Sequence, residues 1–309
     1  MELNKKKLIL EVDNLSVSFS MYDRGLRKKN LEVIHELSLN AYSGEIIAIV
    51  GSSGSGKSIL AHSIMGILAK NAKLKGTMNF CGKQLDKKYI EKIRGKEISF
   101  IPQSVEFLDP LMKVYKQVLG TNGTKERQEQ LFKQYSLDKS VESMYPFQLS
   151  GGMARRVLIS MAMMNKVKLI IADEPTPGLS LDLALEALKS FREIANAGCS
   201  IILITHDIDL ALNVADRIAV FYAGTIVEIA SVEDFKNGRE ALRHPYSKAF
   251  IDALPQNEFK ALNGFQPYAG DLPKGCLFQD RCPWREENCK GKIEMRKIRN
   301  GEVRCINAD

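Results

Sequence analysis

A mainly parallel α/β core, carrying a helix-rich insertion and ending in a small cysteine-rich module, is the fold class that the sequence predicts. Three observations carry it. Short continuous apolar runs of buried-strand length alternate with segments of helical apolar spacing. A glycine-rich octapeptide joins one such run to one such helix. Four of the six cysteines fall between Cys276 and Cys305. The composition of the 309 residues, 45% apolar and 26% charged with 22 Gly and 10 Pro, excludes a disordered, collagenous or coiled-coil chain as the main description. The absence of a repeat excludes solenoids and propellers. The 44 Lys and Arg against 37 Asp and Glu give a charge of +7. Spread over this length, that charge does not choose between nucleic acid, an anionic membrane surface and phosphate ligands.

Taken in order, residues 11–20 alternate like an edge strand, 45–50 form a continuous apolar strand, and 57–69 have helical apolar spacing. Further buried strands are expected at 98–102, 168–173, 200–205 and 217–222. Helices are expected at 151–165, 182–197 and 207–215. Residues 89–166 are richer in helix signals and charges, notably at 125–131 and 142–144, and read as a helical subdomain inserted in the core. Periodicity breaks at 253–255, which divides the chain into a domain of residues 1–255 and a tail of 256–309. No apolar run approaches the roughly 20 residues that cross a bilayer. Met1 to Lys7 leads into Leu8-Ile9-Leu10 without an extended apolar core, so no secretory signal is expected and the cytosol is the default compartment.

Gly51-Ser52-Ser53-Gly54-Ser55-Gly56-Lys57-Ser58 matches the phosphate-binding pattern G-x-x-x-x-G-K-[ST] between a buried strand and a helix start. In that setting glycines let backbone N–H groups wrap phosphates, the helix N-terminus adds a favourable dipole, Lys57 reaches the outer phosphates and Ser58 can bind Mg²⁺. The alternative, a Gly/Ser-rich turn with a surface lysine, needs a pattern that arises by chance about once per hundred chains of this size. Leu169 to Glu174 is an apolar strand ending in two carboxylates. In isolation these form a solvated strand end; with a phosphate loop upstream they place Asp173 near Mg²⁺ and Glu174 near an attacking water. Leu149-Ser150-Gly151-Gly152-Met153 precedes a helix bearing Arg155 and Arg156, and reads either as an N-cap with glycines or as a backbone surface for close phosphate approach.

With these three motifs in this order and spacing, residues 8–255 resemble the ATP-binding subunits of ABC transporters. The resemblance implies a P-loop NTPase fold of the ABC nucleotide-binding type and ATP hydrolysis with Mg²⁺. It implies that Gln103 joins Mg²⁺ and water to a coupling interface, and that His206 contacts the γ-phosphate. It gives Phe19, with Tyr22 as competitor, the adenine-stacking role. Two such chains would sandwich ATP between one chain's phosphate loop and the other's Ser150-Gly151-Gly152. Met153 departs from the usual signature Gln. The stretch from Glu174 to Asp182 is shifted from the family pattern and leaves Ser180 and Asp182 as alternatives for the dimer contact.

The tail, with His244-Pro245-Tyr246 followed by Cys276, Cys282, Cys289 and Cys305, resembles the dipeptide, oligopeptide and nickel importer branch. The spacing C-x5-C-x6-C-x15-C offers four thiolates, for a 4Fe–4S cluster, which the resemblance favours, or for zinc. Cys81 and Cys199 read as buried structural thiols, and Arg281, Arg285 and Lys290 as solvated charges. The resemblance implies a second ABC ATPase subunit in a heterodimer, two transmembrane permease subunits, an extracytoplasmic substrate-binding protein, no nucleic acid, and a position at the cytoplasmic face of the membrane. The departures in the signature and after Glu174 lean toward nickel or metal-chelate uptake, with peptide close behind. The rival reading is a soluble ABC-type ATPase acting on nucleic acid or the ribosome.

Overall fold

The computed structural model describes residues 6–22, 25, 27–254, 257, 260 and 262–309. Residues 1–5, which open the segment read for a leader, and Pro255, read as the tail boundary, lie outside the described residues. In chain order the first elements are β1 (Leu8–Tyr22), β2 (Lys28–Tyr42), β3 (Ile46–Val50), α1 (Lys57–Met65), β4 (Ala72–Phe80), β5 (Lys83–Gln84), α2 (Lys87–Ile93) and β6 (Ile98–Ile101). Then come α3 (Val114–Leu119), α4 (Lys125–Gln134), α5 (Gly151–Ala162), β7 (Leu169–Asp173), α6 (Leu181–Asn196), β8 (Ser200–Thr205) and α7 (Ile208–Val214). The chain continues with β9 (Arg217–Tyr222), β10 (Thr225–Ser231), α8 (Val232–Lys236), α9 (Pro245–Asp252), β11 (Arg296–Ile298) and β12 (Gly301–Val303).

Contacts divide the chain into two compact units. One comprises Met1–Ile9, Ala41–Ile46 and Asp86–Thr205. In it β6, β7 and β8 pair in parallel, with Phe100 opposite Ile171 and Ala172 opposite Leu203. Every residue of β7 and β8 is buried, as a parallel sheet covered on both faces requires. Helix α6 is amphipathic, burying Ala184, Ala187, Leu188, Phe191 and Ala195 at spacings of three and four. The expected helical insertion contains α2 to α5, interrupted by β6. Thr124 caps α4 by accepting from the Arg127 amide. The signal at 142–144 falls at the end of a 3-10 turn, Lys139–Ser143, which Asp138 caps.

The other unit comprises Leu10–Asn40, Ile47–Leu85 and His206–Asp309. An antiparallel sheet of order β2-β1-β4-β5 places β1 inside the sheet, not at the edge that its alternation suggested. Alternation reports one covered face, and interior antiparallel strands share it. In the same unit β3 pairs in parallel with β9, β10 returns antiparallel to β9, and β12 adds antiparallel to β10 with β11 as its hairpin mate. Helix α1 stops at Met65, short of the expected 69, because Gly66 turns left-handed (φ 62°) and its amide caps the helix on the His62 and Ser63 carbonyls.

A core of Val50, Ile218, Val220, Tyr222, Phe235, Leu242, Tyr246 and Phe278 also receives Cys276, Leu277 and Cys282, so the cysteine segment shares this unit's core. Phe278 is 1% exposed, a burial that contributes roughly 2–3 kcal/mol. Cys199 is buried as expected, and burial pushes its thiol up to about 12. Cys81 is only half-buried, on a turn at φ 51°. Arg281 departs from a solvated charge: it donates to the Asn263 and Leu262 carbonyls and to the Tyr222 hydroxyl.

Candidate nucleotide site

The phosphate loop leaves β3 through Gly51, whose φ is 158° and where a Cβ would lie 2.3 Å from the Phe221 carbonyl oxygen. No side chain fits there, so glycine is required by the approach of β9. At the other end Gly56 (φ 109°) precedes α1 and has no capping side chain, so the first turn of the helix presents its N–H groups without a side-chain acceptor. Lys57 is buried, and its ammonium donates to the carbonyls of Gly51 and Ser52 at 2.9 Å each. Ser52, Ser53 and Gly54 are exposed, Ser55 is buried, and Ser58 is half-buried on the first turn of α1. In the same unit Phe19 is half-buried on β1, opposite Ala72. Tyr22 is 66% exposed, with the Lys28 ammonium 5.6 Å from its ring centre. His206 is exposed immediately before Asp207, the N-cap of α7, whose carboxylate accepts from the Leu210 amide at 3.1 Å.

In the other unit β7 ends at Asp173 (1% exposed) and passes to Glu174 (7% exposed). Glu174 has a left-handed backbone, φ 48°, and its amide donates to the Ile204 carbonyl at 2.9 Å. That conformation is rare for a residue with a side chain. Gln103 follows β6 and Pro102, exposed. Ser150 caps α5, accepting from the Met153 amide at 3.2 Å, so the N-cap reading of the signature segment is realised. Gly151 is exposed, while Gly152 packs so that a Cβ would lie 3.2 Å from the Gly178 carbonyl, in the segment where the family pattern is shifted. Ser180 and Asp182 are both exposed, at the N-cap and in the first turn of α6.

Arg155 is the residue that the motifs did not reveal. Buried on α5, it donates to the Pro102 carbonyl (2.7 Å) and the Gln103 carbonyl (2.5 Å). Burial lowers its pKa, opposed by the charges of Asp173 and Glu174. One guanidinium thereby ties the helix that follows the signature to the Gln103 segment, within electrostatic reach of both strand-end carboxylates.

All six cysteines are free thiols. Among the described residues, no three His, Cys, Asp or Glu come close enough to share one metal ion. Cys276, Cys282, Cys289 and Cys305 nevertheless each lie within electrostatic reach of the other three. Burial first, and the neighbouring thiols second, push Cys276 up to about 11.

The family described as ABC transporter matches residues 34–177, and that described as Oligopeptide/dipeptide transporter, C-terminal region, matches 227–289. The oligopeptide transport ATP-binding protein OppD of Escherichia coli strain K12 is 33% identical, over 96% of this chain and 92% of the relative. The dipeptide transport ATP-binding protein DppD is 33% identical in Haemophilus influenzae, over 96% of this chain and 94% of the relative. In Bacillus subtilis strain 168 it is 35% identical, over 94% and 92%. The dimeric structure of MJ0796, a bacterial ABC transporter cassette, superposes with a TM-score of 0.64 at 25% identity, covering 72% of this chain and 99% of that chain. The chain has the fold of an ABC nucleotide-binding cassette, and it belongs to the ATP-binding proteins of the ABC transporters, in the oligopeptide and dipeptide transport family.

Proposed function

We propose that this chain is the ATP-hydrolysing subunit of a peptide importer. The observation that carries the reading is a buried lysine folded onto the carbonyls of a glycine-shaped phosphate loop, in a chain that also matches the peptide-transporter C-terminal region. Relatives named for oligopeptide and dipeptide transport favour peptide over nickel or a metal chelate, and favour an importer over an ATPase directed to nucleic acid or the ribosome. The partners are a second ABC ATPase subunit, two permease subunits and an extracytoplasmic binding protein, with this chain at the cytoplasmic face of the membrane. The cassette and the tail divide near residue 255.

In the mechanism, the phosphate-loop amides from Gly51 to Gly56 and Lys57 bind the ATP phosphates, and Tyr22 or Phe19 stacks on adenine. Ser58, Asp173 and Gln103 would hold Mg²⁺, which when bound would supply neutralisation of phosphate charge. Glu174 accepts the proton of the attacking water, and His206 holds the γ-phosphate. Ser150, Gly151 and Gly152 face the nucleotide of the companion subunit. Glu174→Gln is expected to retain MgATP binding while turnover falls at least about a hundredfold, the contribution of a positioned base. Undiminished phosphate release by that variant would refute the assignment. Cys276, Cys282, Cys289 and Cys305 would hold a 4Fe–4S cluster, which when bound would supply a cross-link between separated segments of the tail. Anaerobic purification should give about four irons per chain, lost in Cys282→Ser; one zinc and no iron would replace the cluster with a structural metal clip.

A further inference from the structure

Ser52, an exposed residue of the phosphate loop, is held from two sides by the C-terminal region. Its hydroxyl donates to the Gln266 side-chain oxygen at 3.0 Å. The Tyr246 hydroxyl lies within hydrogen-bonding reach of Ser52. The Ser52 carbonyl accepts from the Lys57 ammonium. The hydroxyl and the carbonyl of this residue are therefore both engaged, the carbonyl by the phosphate-binding lysine. Tyr246 is 6% exposed, so its ring is fixed by packing: its centre lies 4.4 Å from that of Tyr222 and 5.4 Å from that of Phe278. Phe278 sits between Cys276 and Cys282, which pack on the same core. Gln266 begins a strap that, through Pro267, Tyr268 and Leu272, forms one wall of a cleft of about 460 Å³ whose facing wall includes Gly54, Ser55 and Gly56. Two separate stretches of the C-terminal region thus converge on one serine, and a line of direct contacts runs from Phe278 through Tyr246 and Ser52 to Lys57.

We propose that Tyr246 and Gln266 are positioning residues of the phosphate loop, and that through Ser52 they couple nucleotide binding to the cysteine-rich module. The inference rests on the ATPase reading and adds to it a role for the C-terminal region inside this chain. A loop whose Ser52 is pinned presents the Lys57 ammonium and the following amides in one arrangement before nucleotide arrives, which lowers the ordering cost of binding. Releasing the pin leaves the chemistry of the loop intact and weakens affinity.

The test uses the full chain. Tyr246→Phe keeps the buried ring and removes only the hydroxyl. Gln266→Leu alters a half-exposed strap residue and leaves the core untouched. Each is expected to raise the Kd and KM for MgATP about fivefold, the effect of one or two lost hydrogen bonds, with kcat within about twofold of the unaltered chain. A purely structural role would lower the melting temperature without this split between KM and kcat. The chain has a single tryptophan, Trp284, two residues beyond Cys282 and with the Lys248 ammonium of α9 5.0 Å from its ring centre, so its fluorescence reports on the module and its packing on α9. Saturating MgATP should change that fluorescence in the unaltered chain and leave it unchanged in the double variant at saturation. Unaltered affinity in both folded variants, or a Trp284 signal indifferent to MgATP in a chain that binds it, overturns the proposal and leaves the ATPase reading standing. Failure of the unaltered chain to bind MgATP overturns both.

Discussion

Tyr22 and Phe19 show what a residue's position in a string conveys and what its surroundings add. By sequence alone Phe19 aligns better with an adenine-stacking aromatic; in the fold its ring belongs to a half-buried strand face, while Tyr22 presents two-thirds of its surface near the strand end. A stacking ring must offer a free face, worth about 1 kcal/mol or slightly more. Tyr22→Ala is therefore expected to raise the MgATP Kd about five- to tenfold, and Phe19→Ala chiefly to reduce stability. A larger affinity loss in Phe19→Ala at equal folded fraction would restore the first assignment. The phosphate loop was legible because its chemistry is confined to eight consecutive residues. Arg155 was not, because the carbonyls that give it a purpose lie 53 and 52 residues away and carry no side-chain signature.

Elements followed the same division. The apolar strands β3, β7, β8 and β9 were readable because burial on both faces confines polar residues to their ends. Strand β4, with six of its nine residues half-buried or exposed before Met78, lacks that signal and is fixed by its pairing with β1. The N-terminus of α9 could be placed from Pro245 at its first position, yet the state of its cap is visible only in the fold. His244 is the N-cap; its Nδ1 accepts from the Tyr246 amide at 3.0 Å, and complete burial pushes its pKa down to about 3. In the unfolded chain the imidazole titrates near 6.5. Above that pH neither state binds the proton and the cap contributes fully. Between about 6.5 and 3 only the unfolded chain is protonated, so stability falls by about 1.4 kcal/mol per pH unit from this group. Urea midpoints at pH 7, 6 and 5 should show this slope in the unaltered chain and lack it in His244→Asn, which keeps an acceptor without the titration. Equal slopes in the two proteins would assign the acid sensitivity to carboxylates elsewhere.

At the scale of the whole chain, the C-terminal region is held by polar contacts as well as by the apolar packing of Phe278 and its neighbours. Arg243 provides one such attachment. Its side chain is 1% exposed and makes ion pairs with Glu228 (3.2 Å), itself fully buried on β10, and with Asp234 (3.0 Å). Its Nε donates to the Ile298 carbonyl at the end of β11. Gly301 opens β12 directly against the guanidinium, where a Cβ would lie 2.6 Å from Arg243 Cζ. One cation therefore binds β10, the N-terminal turn of α8 and the β11–β12 hairpin that precedes Cys305. Glu228 also accepts from the backbone amides of Arg243 and His244, so removing the guanidinium leaves a buried carboxylate with only neutral donors. Arg243→Met is expected to cost about 3–5 kcal/mol, most of it the uncompensated charge. Adding Glu228→Gln should recover a substantial part, because a neutral amide needs no counter-ion. Amide hydrogen exchange distinguishes attachment from general stability. In Arg243→Met under native conditions, protection should fall first at Glu302 and Val303, which pair with β10, while β7 and β8 keep theirs. Uniform loss across both units would mean that Arg243 supports the fold as a whole and does not specifically anchor the hairpin.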